Sequence, residues 1–233
     1  VARDIGIDLC GAMGLAVMNR AEQPVIHHLD HSSSIALCCA AIDNNYPSVM
    51  IDASNLPLDD NIAATQKVVA YASGKGVHVE AELGKIKGMG IDGKYTGSGL
   101  DFLVDPGEAK TLVEATGVDS LAIGIGTAHG FYEGKPEIHF DRLAEVNEAV
   151  QVPLVLHGGS GIPLEDIRKA IKNGINKVNV GTIIHCIYMN SMRKTLWEGR
   201  KNQYTLDVVK PAITAVKNVV KEWLQVCMAD NQA

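Results

Sequence analysis

Residues 152–163 read VPLVLHGGSGIP, and the rest of the chain repeats their pattern. The run from Pro153 is short, aliphatic and of the type that fills a buried strand. His157 closes it, a glycine-rich turn follows, and Pro163 falls at a first helical turn, where its missing N–H leaves nothing unsatisfied. The segment is therefore one strand-turn-helix unit with its polar chemistry at the strand's C-terminal end. Runs of the same kind occupy Pro24–His31, Ser48–Ser54, Val77–Gly84, Ser120–His129, Pro153–Gly161 and Lys177–Thr182. Helical patterns lie between them, over Ser34–Asn44, Asn61–Lys75, Pro106–Thr116, Asp141–Val150 and Pro163–Asn173, and again after Thr182. Asp60 and Asp105-Pro106 supply start signals, and Gly76, Gly117 and Gly174 supply stops. A closing helix is expected over Pro211–Met228, with Ile213, Val216, Val219, Val220 and Trp223 at helical spacing.

Alternating strands and helices imply an α/β fold with a parallel sheet and right-handed crossovers. The polar residues decide between an open sheet and a barrel. Asp30-His31, Asp52, Glu82, His129, His157-Gly158 and Asn179 each end a different run. A barrel builds its site from many strand ends, whereas an open sheet concentrates it at one switch point. The expected fold is a (β/α)8 TIM barrel, one domain over residues 1–233. Only six strand runs are visible, and residues 1–22 read as the end of a helix. The first two strands and their helix, roughly 50 residues at usual unit lengths, are therefore expected to be missing from this chain.

Composition narrows the function classes. Hydrophobic residues make up 46% and charged residues 21%, enough for a packed core. The net charge of −6 argues against nucleic acid as a partner. No apolar run is long enough to span a membrane, so no membrane partner is expected. The five cysteines show no metal-ribbon or CxxC spacing and read as reduced thiols of a cytoplasmic protein.

Three histidines stand at separate strand ends: His31 in HLDHSSS, His129 in GTAHGFY and His157 in VLHGGSG. Three protein ligands with one open position make a catalytic zinc site. Singly, each reads as well as a hydrogen-bonded loop histidine; together they favour a metal. His27, His28, His78, His139 and His185 keep the structural reading. Asp30, beside His31, either exchanges a proton with a metal-held substrate oxygen or orients the ligand. In VHVEAELG, residues 77–84, the apolar positions alternate with His78, Glu80 and Glu82, which turns both glutamates inward. Glu82 is the one nearer a metal, and Glu80 reads as a salt bridge. HGGSG at 157–161 and KVNVGT at 177–182 offer backbone N–H groups to an anion, with Ser160 and Thr182 as further donors. These follow the last two strands, where barrels often hold phosphate. Six glycines in residues 84–99 make that stretch either a lid or a plain connection.

HLDHSSS, VEAELG, GTAHG, VPLVLHGGSGIP and KVNVGT, in this order, resemble the class II fructose-bisphosphate and tagatose-bisphosphate aldolases from about Pro24 onward. The resemblance implies a (β/α)8 barrel, a homodimer or homotetramer, and reversible aldol cleavage of a phosphorylated ketose. It implies Zn2+ on His31, His129 and His157, with Asp30 as the acid and base at the C4 oxygen. Glu82 matches a glutamate near a second zinc position. Gly130, Gly158, Ser160 and Thr182 match positions holding the C1 phosphate, with Na+ or K+ nearby, and Asn179 matches a contact to the dihydroxyacetone portion. The family's glutamate in the loop after AELG has no counterpart in KIKGMGIDG, residues 85–93; Asp92 is the only carboxylate there and the remaining candidate base. Tagatose 1,6-bisphosphate is an alternative substrate. A metal-dependent hydrolase and an inert barrel fragment are the competing readings.

Overall fold

The structure, a computed structural model, describes residues 5–84, 88–89, 95–96, 103–130, 132, 136–199 and 202–230. Helix α1 (Ile7–Arg20) leads into β1 (His28–Ser32), α2 (Ile35–Asp43), β2 (Ser48–Ile51), α3 (Leu58–Ala72) and β3 (His78–Leu83). A small ribbon, β4 (Gly88–Met89) and β5 (Tyr95–Thr96), pairs antiparallel. Then come α4 (Pro106–Thr116), β6 (Ser120–Ile123), α5 (Phe140–Ala149), β7 (Leu154–Leu156), α6 (Leu164–Lys172), β8 (Ile175–Val178), α7 (Thr182–Glu198) and α8 (Thr205–Val226).

The six longer strands form one sheet in the order β1-β2-β3-β6-β7-β8, and every neighbouring pair is parallel. The sheet curls into a half-barrel. Its outermost strands approach each other through inward side chains: Lys177 Nζ of β8 is 3.5 Å from His28 Nε2 of β1. Residues opposite one another in a parallel pair share a face, so the register sorts the side chains. Met50 stands opposite Glu80, Glu80 opposite Ser120, Glu82 opposite Ala122, Ala122 opposite Val155, and Val155 opposite Lys177. These line the inside, where Met50, Ala122 and Val155 form a small apolar layer of their own. The alternate residues Val49, Ile51, Val79, Ala81, Leu121, Ile123, Leu154 and Leu156 belong to the main core. That set faces the helices, which is why both glutamates of β3 point inward as their alternation requires.

Helix limits follow local chemistry where it is strong. Asp105 Oδ1 accepts from the backbone N–H of Gly107 and Glu108, at 2.9 and 3.0 Å, and Gly117 ends α4 at φ +63. Two expected starts lie elsewhere. Helix α3 begins at Leu58, so Asp60 sits in its first turn and is not its cap. Asn61 is drawn into the helix because its buried amide donates to the carbonyl of Glu82 at 2.9 Å. Helix α8 begins at Thr205, and Pro211 lies inside it; Asp207 Oδ2 accepts the Tyr204 N–H at 3.1 Å and sets the earlier start. Helices α7 and α8 pack mainly on each other. Among the described residues no helix is long and apolar enough to cross a membrane.

Candidate functional site

Parallel strands bring their C-terminal ends to one edge, and that edge carries the histidines. The backbone of β1 departs from regularity there: its pairing with β2 shifts between Leu29 and Ser32, and His31 has φ +48. Adjacent strand residues ordinarily face opposite sides. The irregularity lets Asp30 and His31 line one cleft together, a use of local strain that recurs at functional sites.

The rings of His31 and His157 lie 4.5 Å apart, His31 and His129 4.8 Å, and His129 and His157 6.1 Å. One ligand nitrogen from each falls within 4.8 Å of the others. His31 Nδ1 meets Asp52 Oδ2 at 3.0 Å, and His157 Nε2 meets Glu80 Oε1 at 2.9 Å. The remaining nitrogens of these two rings, His31 Nε2 and His157 Nδ1, face each other at 2.7 Å. With each outer nitrogen donating to its carboxylate, the facing lone pairs repel unless a cation, a proton or a metal, lies with them. Histidines whose outer N–H groups meet carboxylates are the usual supports of a metal centre. The donor set therefore fits a nitrogen-bound metal. A second group, His31, Asp52 and Glu82, brings its ligand atoms equally close.

Electrostatics sharpen the arrangement. Burial disfavours a charged His31, yet its hydrogen bond to Asp52 and the charges of Glu82, Asp30 and Asp52 raise its pKa to about 9. Burial and the neighbouring His31 and His157 bring His129 down to about 4. Burial opposes ionisation of Asp52 and Glu80 as well, but hydrogen bonds from His31 and Ser54 to the first, and from His157 and Lys177 to the second, bring both to about 2. Glu82 is pushed well above the carboxylate range by burial and by the Asp52 charge. Its Oε2 is buried without a hydrogen-bond partner and lies 3.8 Å from His31 Nδ1.

Asp30, Asn179 and the glycine turns complete a cleft of about 600 Å³ with the histidines. Asn179 Nδ2 donates to Asp30 Oδ1 at 3.0 Å. Gly158, Ser160, Gly130 and Thr182 line the same cleft. Gly158 has φ +71, and a Cβ there would stand 2.3 Å from the carbonyl oxygen of Ala128, so only glycine fits. The Ser160 hydroxyl accepts the N–H of Ile183 at 3.1 Å in the first turn of α7. The glycine turn is thereby tied to a helix N-terminus, where partial positive charge suits an anion.

The structure thus brings together Asp30, His31, Glu82, His129, Gly130, His157, Gly158, Ser160, Asn179 and Thr182. Asp92 lies outside the described residues, as does most of the stretch read as a lid or connection. Asp52 was legible only as one more polar strand end. Lys177, whose Nζ meets Glu80 Oε2 at 2.7 Å, gave no signal beyond a charge inside an apolar run. His28 is engaged with Ser48 at 2.7 Å and also lines the cleft, and His78 is engaged with Ser120 at 3.1 Å.

Comparison with known proteins follows the same line. A family model described as fructose-bisphosphate aldolase class-II matches residues 1–232. The chain is 42% identical over 210 residues to the fructose-bisphosphate aldolase of Staphylococcus aureus, covering 90% of this chain and 72% of that protein. It is 41% identical over 197 residues to that of Geobacillus stearothermophilus, covering 84% and 68%. The crystal structure of the YdjI aldolase from Escherichia coli K12 superposes with a TM-score of 0.86 at 32% identity, covering 100% of this chain and 80% of that one.

Proposed function

The chain belongs to the class II fructose-bisphosphate aldolase family, whose members are zinc-dependent lyases, and from that premise we propose how its own residues work. The reaction is the reversible cleavage of fructose 1,6-bisphosphate to dihydroxyacetone phosphate and glyceraldehyde 3-phosphate. The observation that carries this reading is the convergence of three histidines beside an anion-ready helix N-terminus in one cleft.

His31, His129 and His157 would hold the zinc, and bound zinc supplies a Lewis acid for the charge left when the C3–C4 bond breaks. Asp30 takes the C4 hydroxyl proton in cleavage and returns it in condensation, with its carboxylate held by Asn179. Gly130, Gly158, Ser160 and Thr182 hold the C1 phosphate, so that remote binding energy orients the reacting carbons. Asn179 also meets the dihydroxyacetone portion. Glu82, next to His31, serves a second cation position, and Asp92 exchanges the proton on C3. A monovalent cation, Na+ or K+, accompanies the phosphate.

The finer architecture is read as a single (β/α)8 barrel domain, a reading supported by the sequential parallel order and by the approach of β8 to β1. A homodimer or homotetramer is supported by the apolar outer surface of α7 and α8, where Trp197 is 90% exposed and Leu196 and Leu206 each 60%. Free cysteines fit a cytoplasmic setting.

The test is release of triose phosphate from fructose 1,6-bisphosphate, with tagatose 1,6-bisphosphate in parallel. Release that stops with EDTA and returns with zinc is expected. Release that survives exhaustive chelation would remove the metal from the reading, and release from tagatose 1,6-bisphosphate alone would change the substrate.

A further inference from the structure

We propose that Tyr132 is a positioning residue that clamps the strand end bearing His129 to the strand end bearing His157. The inference rests on the reading of those histidines as metal ligands. The Tyr132 hydroxyl accepts the backbone N–H of Ala128 at 2.9 Å and donates to the carbonyl of Gly158 at 3.0 Å. Ala128 immediately precedes His129, and Gly158 immediately follows His157. One oxygen therefore joins the residue before one ligand to the residue after the other.

Two further contacts make the joint close. The backbones meet directly where Gly158 approaches the Ala128 carbonyl, with no room for a Cβ. Gly161, at φ +92, lies against the Tyr132 ring, since a Cβ there would stand 3.1 Å from Cδ2. The ring is thus seated on the glycine turn, and the hydroxyl reaches over to the neighbouring strand end.

His129 needs such a device. His31 and His157 each have a carboxylate on the outer nitrogen, at 3.0 and 2.9 Å, which fixes ring rotation. Among the described residues neither ring nitrogen of His129 has a hydrogen-bond partner. Its position is inherited from its backbone, and the Ala128–Tyr132–Gly158 bridge is what fixes that backbone relative to His157. The task requires a group that accepts and donates at once; a phenol does so, and phenylalanine offers the ring alone. Burial raises the pKa of the phenol, which keeps it a neutral donor.

The test compares the unmodified chain with Tyr132→Phe. Zinc affinity is measured by competition with a chromogenic chelator, and the visible ligand-field spectrum is recorded with cobalt in place of zinc. Loss of a group that supports metal ligands typically lowers affinity about 10- to 100-fold, and that range is expected here with an altered cobalt spectrum. Tyr71→Phe removes a surface phenol bound to Asp43 and should leave both readings unchanged. If Tyr132→Phe binds zinc within twofold of the unmodified chain and gives the same cobalt spectrum, the clamp is overturned and the ligand reading stands. If the unmodified chain binds no zinc, both fall. A measurement free of any variant is hydrogen exchange at the Ala128 amide of the metal-free protein. Protection is expected there, and exchange at the rate of an open loop would refute the clamp.

Discussion

Glu80 works between two partners of opposite character. On one side it orients His157, and on the other it is neutralised by Lys177. Its side chain is 2% exposed, whereas that of Lys177 is 38% exposed. Removing one partner of a fully buried pair costs about 3–5 kcal/mol, because the surviving charge is stranded. Lys177→Met leaves the buried carboxylate facing only histidines, and water at the lysine end moderates the loss. A destabilisation of about 3 kcal/mol is expected from urea unfolding of the metal-free protein. An unchanged midpoint would mean that Glu80 is already protonated. Single residues were legible when they closed a run, as His157 and Asn179 do. Lys177 was not, since its partner lies 97 residues away and a charge within a strand says nothing of what it meets. The shared orientation of Asp30 and His31 was equally hidden, because it depends on an irregular pairing with β2.

Elements were legible in proportion to how local their signals are. Helix α4 runs over Pro106–Thr116, as Asp105-Pro106 and Gly117 require. Helices α3 and α8 begin earlier than their sequence signals, because Asn61 and Asp207 answer to tertiary and capping contacts. The strands are shorter than their apolar runs: β6 ends at Ile123, although the run continues to His129. After β6 and β7 the remainder of the run is the loop that carries His129 or His157, whereas Asp30, His31 and Glu82 lie within β1 and β3 themselves. Two cap variants separate stability from function. Asp105→Ala releases the N–H groups of Gly107 and Glu108, and about 1 kcal/mol of stability should go with them while aldol cleavage is unchanged. Ser160→Ala releases Ile183 at the start of α7, beside the proposed phosphate position. It should cost a similar amount and raise the KM for fructose 1,6-bisphosphate several-fold. Equal effects of both variants on KM would disconnect α7 from the phosphate.

At the scale of the molecule, a metal held by strand ends far apart in sequence binds the folded chain and not the unfolded one. With free zinc about 100-fold above its Kd, the linkage is worth about 2.7 kcal/mol. For a chain of this size that corresponds to roughly 5–10 °C in Tm, so EDTA should lower the melting temperature by that amount. Identical curves with and without EDTA would mean that no metal is held at equilibrium. The α/β class and the sequential parallel order follow from the alternation of runs and helices. The curl that brings β8 toward β1 was signalled by polar residues ending many different runs, while its extent is set by the twist of all six strands together. The pairing described above also makes this site a sensor of its own assembly. Displacing β3 by a single position would turn Val79 and Ala81 inward and carry Glu80 and Glu82 out to the helices. No such misaligned form retains support for His157, so turnover counts only the molecules in which every strand has found its place. An activity assay on refolding protein therefore reports register, which spectra of secondary structure would pass over.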